Sequence, residues 1–518
     1  MYDLKIVGGA VYDGLGGEPI FANVYIKDGK IAEISNQNKE AKEQINAQGL
    51  CVAPGFIDIH SHSDQVPFRN RNAECQVRQG VTTEIVGNCG EALFPSLPEH
   101  QGETEDYCKH HFGAKGYDSV SDYASAVNDV KYVNNIGGLV GHSNLRIAVM
   151  GYVNRDPDEK EMQMLCDLLE RELQRGAFGM SIGLIYPPSA FSKKEELIAL
   201  AKVLAKHNAI LSVHMRNEGP HVFEAVDEVI EIAEKSGVHL EISHLKLMGK
   251  SQWGKAPELT QKIEAARKRG VNVTCDQYPF TATCTSLSVL VPHWAHEGGT
   301  DMLCKRVEAC EGDILEAIQN EMENRGGPDC VMALICDGYK EYEGKFISEI
   351  SKELALFPVE TVRKILLDTH GSACCNYFSI NEQDVKYIMS KDYVSVGSDG
   401  VARDYTCRET PHPRNFAAFS QYFQTVRENK IMPLSKMIRK ATSLTAETLG
   451  LTDRGVLKEG YCADIVIFDG ENFSSRSTFT DPKNAPVGMQ YVIVNGIVAV
   501  ENGELTCKRG GNAILKNK

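Results

Sequence analysis

The chain has 518 residues, 42% of them hydrophobic and 24% charged, as in folded globular enzymes and unlike disordered proteins. Its formal net charge of -15 argues against a nucleic-acid partner, because an acidic surface repels polyphosphate. Sixteen cysteines are spread over a long chain that shows no export signal and no apolar stretch of ~18 residues. We therefore expect a cytoplasmic protein with reduced thiols and no membrane partner.

Both ends of the chain have the pattern of β structure. Short β-prone runs are followed by Gly8-Gly9, Asp28-Gly29 or Asn495-Gly496, and such pairs favour tight turns. Neither end has enough runs for a sheet that is stable alone. We therefore predict one small β-sandwich domain made of residues 1–54 and 455–518. The runs are 4–7, 23–26, 463–468 and 491–494.

The middle of the chain, residues 55–454, alternates between apolar β-prone runs and helical patterns. Parallel strands that are buried on both faces read as such continuous apolar runs. Eight of them alternating with helices predict an α/β fold, a TIM-like (β/α)8 barrel; an open, doubly wound parallel sheet is the competing architecture. The runs are 56–62, 82–89, 137–141, 177–184, 210–214, 239–244, 271–278 and 394–399.

The spacing of these runs breaks once. The gap from about Phe280 to Tyr393 is far longer than the one helix and two short loops that a barrel needs between its seventh and eighth strands. An insertion that follows a strand of such a barrel lies over the mouth of the active site. We therefore predict a lid at residues 283–345, inserted between barrel strands seven and eight.

Metal-binding side chains follow the first two runs. His60 and His62 would share one face of a strand and could bind one ion, although such a pair is as readily two solvated or core histidines. Asp58, one step deeper on that face, is a candidate to orient them. Cys89 stands between glycines that would let a metal approach, and zinc prefers thiolate; a lone cysteine is nonetheless usually a small core residue.

Three further candidates close later runs. His214 and His244 end the fifth and sixth runs, where either could be a hydrogen-bonded core histidine, and Asp399 ends the eighth, where an ordinary turn aspartate is common. All the candidates fall at the carboxyl ends of predicted strands, where barrel enzymes place their catalytic groups. This coincidence predicts a metal site. Its ligands would be His60, His62, Cys89, His214, His244 and Asp399.

These residues carry a family resemblance that covers the whole chain. The chain resembles the amidohydrolase superfamily and, within it, the N-acyl-D-amino-acid deacylases (D-aminoacylases). Related hydantoinases and dihydroorotases usually bridge two metals with a carbamylated lysine from the fourth strand, whereas residues 177–184 contain no lysine. The matching segments are APGFIDIHSH (53–62), VGNCG (86–90), HMRNE (214–218), ISHLK (242–246), DQYPF (276–280), SDG (398–400), PHPR (411–414) and GYCADIV (460–466).

The resemblance implies a zinc enzyme. Zinc held by three protein ligands keeps one place for water, lowers the pKa of that water towards ~7 and polarises the scissile carbonyl. The resulting hydroxide would attack the amide carbonyl, and Asp399 would act as general base and return the proton to the departing amine. The implied ligands of one tight zinc ion are Cys89, His214 and His244. The implied second, weaker position is formed by His60, His62 and Asp399.

The implied partner is a small molecule, an N-acyl-D-amino acid that is hydrolysed to a carboxylate and a free D-amino acid. The preference for the D form rests on the resemblance alone. An acidic protein needs local cations to bind a carboxylate, and Lys246 and Arg414 are the candidates, with Tyr278 as a neutral donor. The resemblance points to the same three residues. Relatives carry a serine where Cys284 stands, and Arg216, Glu218 and His142 lie in matching segments without an assigned role.

Two alternatives stay open. An enzyme of the same superfamily could instead hydrolyse cyclic amides or dipeptides, as hydantoinases and dihydroorotases do with rings. A barrel that has lost catalysis could serve as a binding or assembly protein. Proteins of that kind typically lose metal ligands first, whereas all six candidate ligands are present in this sequence.

Overall fold

The computed structural model describes residues 1–516, and its centre is a closed barrel of parallel strands. Neighbouring strands pair in chain order, and a parallel bridge between Ser61 and Gly400 joins the eighth strand to the first. The predicted barrel is confirmed, and the open sheet is excluded. The barrel strands are Phe56–Asp58, Val81–Val86, Asn135–Gly138 with Val140–Gly141, Gly179–Gly183, Ile210–His214, His239–Ile242, Val273–Gln277 and Val394–Val396.

The barrel strands are buried on both faces. Every residue of Val81–Val86 and of Ile210–His214 is buried, as expected of parallel strands that are covered on both faces. Several strands end before the predicted runs do. Cys89, His244 and Asp399 have φ angles of 54°, 37° and 49°, in the left-handed region that a strand cannot adopt. These residues therefore lie in the loops just past the strands.

Helices surround the barrel, as expected for alternating β and α elements. No helix within residues 1–516 is long and apolar enough to cross a membrane. The helices of this layer and of its loops are Val66–Arg69, Glu74–Arg78, Gln101–Phe112, Val120–Val130, His142–Met150, Glu159–Gln174, Lys194–Lys206, Val222–Ser236, Ala256–Lys268, Glu382–Met389, Arg414–Glu428, Leu434–Ala441 and Ser443–Leu449.

The two ends of the chain form a sandwich of two sheets, as predicted. Both sheets contribute to one apolar cluster that includes Leu4, Val24 and Ile465. The chain leaves the sandwich at Pro54 and enters the barrel at Phe56. In spatial order, the strands of one sheet are Lys30–Ser35, Asn23–Lys27, Tyr2–Val7 and Ala41–Asn46. Those of the other are Glu504–Leu505, Ile497–Glu501, Met489–Val494, Ile465–Phe468, Cys51–Pro54, Ala10–Val11 and Ile20–Phe21.

The insertion between barrel strands seven and eight folds around its own core. Its strands form an antiparallel sheet in which Cys374–Tyr377 lies between Thr283–Ser286 and Val331–Ile335. The insertion therefore runs beyond 345, where the sequence prediction ended it, because its middle strand comes last in the chain. Leu287, Ile318 and other buried apolar residues form the core. The helices of the insertion are Thr300–Ala309, Ile314–Asn324, Ile347–Leu354 and Pro358–Asp368.

Candidate metal centre

The candidate ligands lie in loops at the carboxyl end of the barrel. His60 and His62 follow the first strand, which ends at Asp58, so strand alternation does not position them. Asp58 accepts hydrogen bonds from the backbone N–H of His60 (3.2 Å) and of Ser398 (2.9 Å). It therefore fixes the loop backbones of the first and eighth strands rather than an imidazole ring.

The glycines beside Cys89 have a packing role that differs from the predicted one. A Cβ atom on Gly87 would lie 2.2 Å from the carbonyl oxygen of Leu139, and one on Gly90 would lie 2.6 Å from the backbone nitrogen of Gly183. Both glycines have positive φ angles of 77° and 82°. The turn that presents Cys89 is thus pressed against the third and fourth barrel strands.

One group of possible ligands consists of His60, His62, Cys89 and Asp399. Each offers one ligand atom, and these atoms all lie within 4.8 Å of one another. His60 Nε2 is 3.3 Å from Cys89 Sγ, and His62 Nε2 is 3.1 Å from Asp399 Oδ1. Such separations suit side chains that could share one cation.

A second group consists of Cys89, His214 and His244, again with ligand atoms within 4.8 Å of one another. Cys89 Sγ lies 3.5 Å from His244 Nε2. Cys89 belongs to both groups and therefore stands where a bridging ligand between two ions would be. The fourth strand, Gly179–Gly183, has no lysine that could take this position.

The electrostatics of the second group fit a cation. Burial raises the pKa of the Cys89 thiol well above its usual value, so the thiol is neutral unless a positive charge lies beside it. Among the described residues, neither ring nitrogen of the buried His214 makes a hydrogen bond, although Glu218 Oε2 lies 3.4 Å from Nε2. Unpartnered buried polar groups are costly, and thiolate with imidazole is a donor set that zinc prefers.

Two carboxylates that the sequence analysis left without a role support the ligands. Asp276 lies 3.2 Å from His60 Nδ1 and accepts a hydrogen bond from the backbone N–H of His244. Glu218 Oε1 lies 3.1 Å from His244 Nδ1 and accepts from Lys246 Nζ at 2.6 Å. The sequence signal for Asp276 was its position at the end of the seventh barrel strand, whereas Glu218 reaches Lys246 only through tertiary structure.

The three candidate substrate-binding residues line one cavity of about 820 Å³, together with Cys89, His214 and Asp399. Lys246 is bound to Glu218, as described above. Arg414 donates from Nη1 to Asp399 Oδ2 at 2.6 Å and from Nη2 to the carbonyl oxygen of Cys284 at 3.2 Å. The buried hydroxyl of Tyr278 has no hydrogen-bond partner within residues 1–516, so it is free to bind a ligand.

Asp399 is held in its ionised form. Burial pushes its pKa upward, but the positive charges of Arg414 and of neighbouring histidines outweigh burial and keep the pKa well below the usual value. One oxygen, Oδ2, is bound to Arg414, whereas Oδ1 faces His60 (3.6 Å) and His62 (3.1 Å). The carboxylate therefore presents one oxygen to the metal groups.

Two other polar residues of the matching segments lie in structural networks. His142 Nδ1 is 2.8 Å from Ser189 Oγ, and its Nε2 is 2.8 Å from Glu196. Arg216 pairs with Glu228 at 3.0 Å and also donates to backbone carbonyls. Neither is in a group of possible metal ligands.

Comparison with known proteins agrees with this geometry. Residues 43–500 match the Amidohydrolase family. The chain is 31% identical to a D-aminoacylase of Alcaligenes xylosoxydans xylosoxydans, over 99% of this chain and 98% of that protein. It is 33% identical to an N-acyl-D-glutamate deacylase of the same organism, over 95% of this chain and 93% of that protein.

A solved structure is similar over the full length. It is an N-acyl-D-glutamate deacylase of Bordetella bronchiseptica in complex with zinc and a phosphonate inhibitor that mimics the tetrahedral intermediate. The TM-score is 0.86 at 30% identity, and the alignment covers 99% of each chain. With the family match over most of the sequence, these full-length similarities show that the chain belongs to the amidohydrolase family and, within it, to the N-acyl-D-amino-acid deacylases (D-aminoacylases).

Proposed function

We propose that this protein hydrolyses the amide bond of N-acyl-D-amino acids and releases a carboxylate and a free D-amino acid. The observation that carries the proposal is the position of Cys89, which stands within reach of both groups of possible metal ligands. The full-length relatives named as D-aminoacylase and N-acyl-D-glutamate deacylase support the substrate class.

We propose zinc as the metal. The tight site would consist of Cys89, His214 and His244, and a second, weaker site would draw on His60, His62 and Asp399, with Cys89 shared. When bound, zinc lowers the pKa of water and polarises the substrate carbonyl. The side chains of Cys89, His214 and His244 are buried, and charge interactions are stronger in such a low-dielectric environment than in water.

Asp399 is the proposed general base and acid. Its low pKa keeps it ionised at neutral pH, so that Oδ1 can take a proton from the attacking water. The same oxygen then returns the proton to the nitrogen of the departing amine. The ion pair with Arg414 holds Oδ2 and so fixes the direction of Oδ1.

The α-carboxylate of the substrate would be bound by Lys246, Arg414 and the hydroxyl of Tyr278. Both cations lie in the cavity wall, and the unpartnered hydroxyl of Tyr278 can donate a hydrogen bond. A carboxylate between these groups gains charge-assisted hydrogen bonds, which are stronger than neutral ones. Residues 283–345, with the remainder of the insertion, would act as a lid, since Thr283, Cys284 and His293 line the same cavity.

The proposed unit of the termini, residues 1–54 with 455–518, would support the barrel without contributing to the site. We further propose that the protein works in the cytoplasm. All sixteen cysteines lie within the described residues as free thiols, which supports a reducing compartment.

Asp399→Asn tests the assignment of the general base. We expect kcat to fall by about 100- to 10,000-fold, because general acid–base catalysis contributes on that order. The zinc content should change much less, since the tight site does not include Asp399. Asp392→Asn, an exposed aspartate on the same stretch of chain, is the matched control. Wild-type turnover in the Asp399 variant would contradict the assignment.

The reaction itself is tested with N-acetyl-D-amino acids, their L forms and hydantoins. We expect cleavage of the linear D substrates. Activity on ring amides alone would overturn the proposal in favour of a cyclic-amide hydrolase. Carefully prepared protein without any metal and without activity would indicate a binding or assembly protein.

A further inference from the structure

Besides Lys246 and Arg414, the cavity wall contains an arginine with unused hydrogen-bond donors. Arg403 lies in the loop that follows Asp399, and its backbone N–H donates to Cys75 Sγ at 3.0 Å. Within residues 1–516 its guanidinium donates no hydrogen bond, and its buried Nε has no partner. Glu409 is 3.6 Å from Nη1, beyond hydrogen-bond distance, and is itself 35% exposed.

The other cations of the cavity wall are already paired with carboxylates. Arg414 is 2.6 Å from Asp399, and Lys246 is 2.6 Å from Glu218. Arg216 pairs with Glu228 and Arg325 pairs with Glu321. Among the described lysines and arginines of this wall, Arg403 therefore differs from the others. Its carboxylate neighbour, Glu409, is too distant for a hydrogen bond.

Arg403 lines the same cavity as the groups proposed to bind the α-carboxylate. Cys284 connects the two regions: its carbonyl oxygen accepts from Arg414, and its side chain lines the cavity. Burial raises the pKa of the Cys284 thiol, and the positive charges of Arg414 and Arg403 both oppose that rise. Both arginines and Cys284 line this one cavity, so a single ligand in it can be bound by both guanidinium groups.

The chemistry of Arg403 selects the kind of ligand. A guanidinium group presents five donors in a planar fork that matches a carboxylate. Leaving such donors unpaired in a partly buried wall is unfavourable, and the side chain is only 24% exposed. An acceptor supplied by the substrate would remove this cost.

We propose that Arg403 binds a second carboxylate of the substrate, so that the preferred substrates are N-acyl-D-amino acids with two carboxylates. This inference rests on the proposed deacylase function. The second carboxylate belongs either to the amino-acid side chain, as in D-glutamate, or to the acyl group, as in an N-succinyl compound. The two sources present the same chemistry to Arg403.

Two pairs of substrates distinguish the sources. N-acetyl-D-glutamate is compared with N-acetyl-D-glutamine, and N-succinyl-D-leucine is compared with N-acetyl-D-leucine. In one of these pairs we expect kcat/KM to favour the acidic member by about ten- to a hundredfold, the range of one charge-assisted interaction. In Arg403→Met this ratio should fall to about one, whereas Arg408→Met, which changes an exposed arginine of the same loop, should retain it.

The outcomes separate this inference from the proposed function. If the wild-type enzyme cleaves N-acyl-D-amino acids but favours the acidic member of neither pair, the role of Arg403 is wrong and the deacylase function stands. A preference that persists in a folded Arg403→Met enzyme also overturns the role. If Arg403→Met fails to fold, the role of Arg403 is tested by the wild-type kcat/KM ratios and by Arg403→Lys. Lysine keeps the positive charge but lacks the planar set of guanidinium donors, so this variant should show a smaller ratio than the wild type. Failure to cleave any of the four compounds overturns the proposed function, and this inference with it.

Discussion

At the scale of single residues, Glu218 connects two candidate metal ligands to Lys246, the proposed substrate-binding cation. Its carboxylate lies 3.4 Å from His214 Nε2, 3.1 Å from His244 Nδ1 and 2.6 Å from Lys246 Nζ. Burial pushes its pKa up, but Lys246 and the two histidines hold it well below the usual value. A charged carboxylate at this position is hydrogen-bonded to the ammonium group and lies within ion-pair distance of both imidazole rings, so it can orient them by charge.

Replacing Glu218 by glutamine should weaken zinc binding. The amide keeps the shape of the side chain but loses the charge that orients His244 and His214, and loss of such supporting groups typically costs about 10- to 100-fold in metal affinity. Competition with a chelator of known affinity measures the change. Glu224→Gln, an exposed glutamate six positions later, is the control. Unchanged affinity in Glu218→Gln would show that the rings are held by packing alone.

The six candidate ligands could be found from the sequence because each follows an apolar run, and the carboxyl ends of parallel strands meet at one end of a barrel. The apolar runs do not show which of the six side chains come together in each group of possible metal ligands. Cys89, His244 and Asp399 point where they do because of left-handed backbone angles beyond the strands. Strand alternation, which the sequence analysis applied to His60 and His62, stops at Asp58.

At the scale of elements, the insertion is a folded unit that touches the barrel around the cavity. Thr285 Oγ1 is 2.9 Å from the hydroxyl of Tyr186, and the backbone N–H of Gly298 donates to the carbonyl oxygen of Tyr152. The sequence predicted an insertion that starts at 283, because a gap too long for one barrel helix follows the seventh apolar run, 271–278. The predicted end at 345 came too early, because Cys374–Tyr377, the last strand of the insertion in the chain, joins it only through tertiary pairing.

We expect a ligand to slow proteolysis of the insertion. A substrate analogue in the cavity would contact residues of the insertion and of the barrel at once, and so favour the closed arrangement of the proposed lid. Thermolysin digestion with and without an N-acyl-D-amino acid measures the effect on cuts between 283 and 378. Cleavage near the exposed Phe21, at the edge of the sandwich, should not respond and serves as the control. Equal rates within the insertion would contradict a lid.

At the scale of the whole molecule, the sandwich and the barrel share buried polar contacts. Asp464 in the sandwich accepts from Arg454 at 2.7 Å and from Asn135 of the third barrel strand at 3.1 Å. The turns Asp28-Gly29 and Asn495-Gly496 have positive φ angles at both positions, which their sequences predicted. Short β-prone runs and turn sequences thus predicted the sandwich. The contacts that join it to the barrel could not be predicted in this way, because they form between residues that are hundreds of positions apart, such as Asp464 and Asn135.

Removal of the metal should destabilise the whole molecule. The two ligand groups come from the ends of the first, second, fifth, sixth and eighth barrel strands, so bound ions would tie distant parts of the barrel together. A ligand present at about a thousand times its dissociation constant stabilises the folded state by about 4 kcal/mol. Chelation should therefore lower the melting temperature of the wild-type protein, and added zinc should restore it.

Cys89→Ala, which removes the proposed shared ligand, should melt near the chelated wild type and respond little to chelator. The control is wild-type protein that is shown beforehand to contain zinc. If its melting temperature is the same with and without chelator, packing and hydrogen bonds hold the strand ends without the ion.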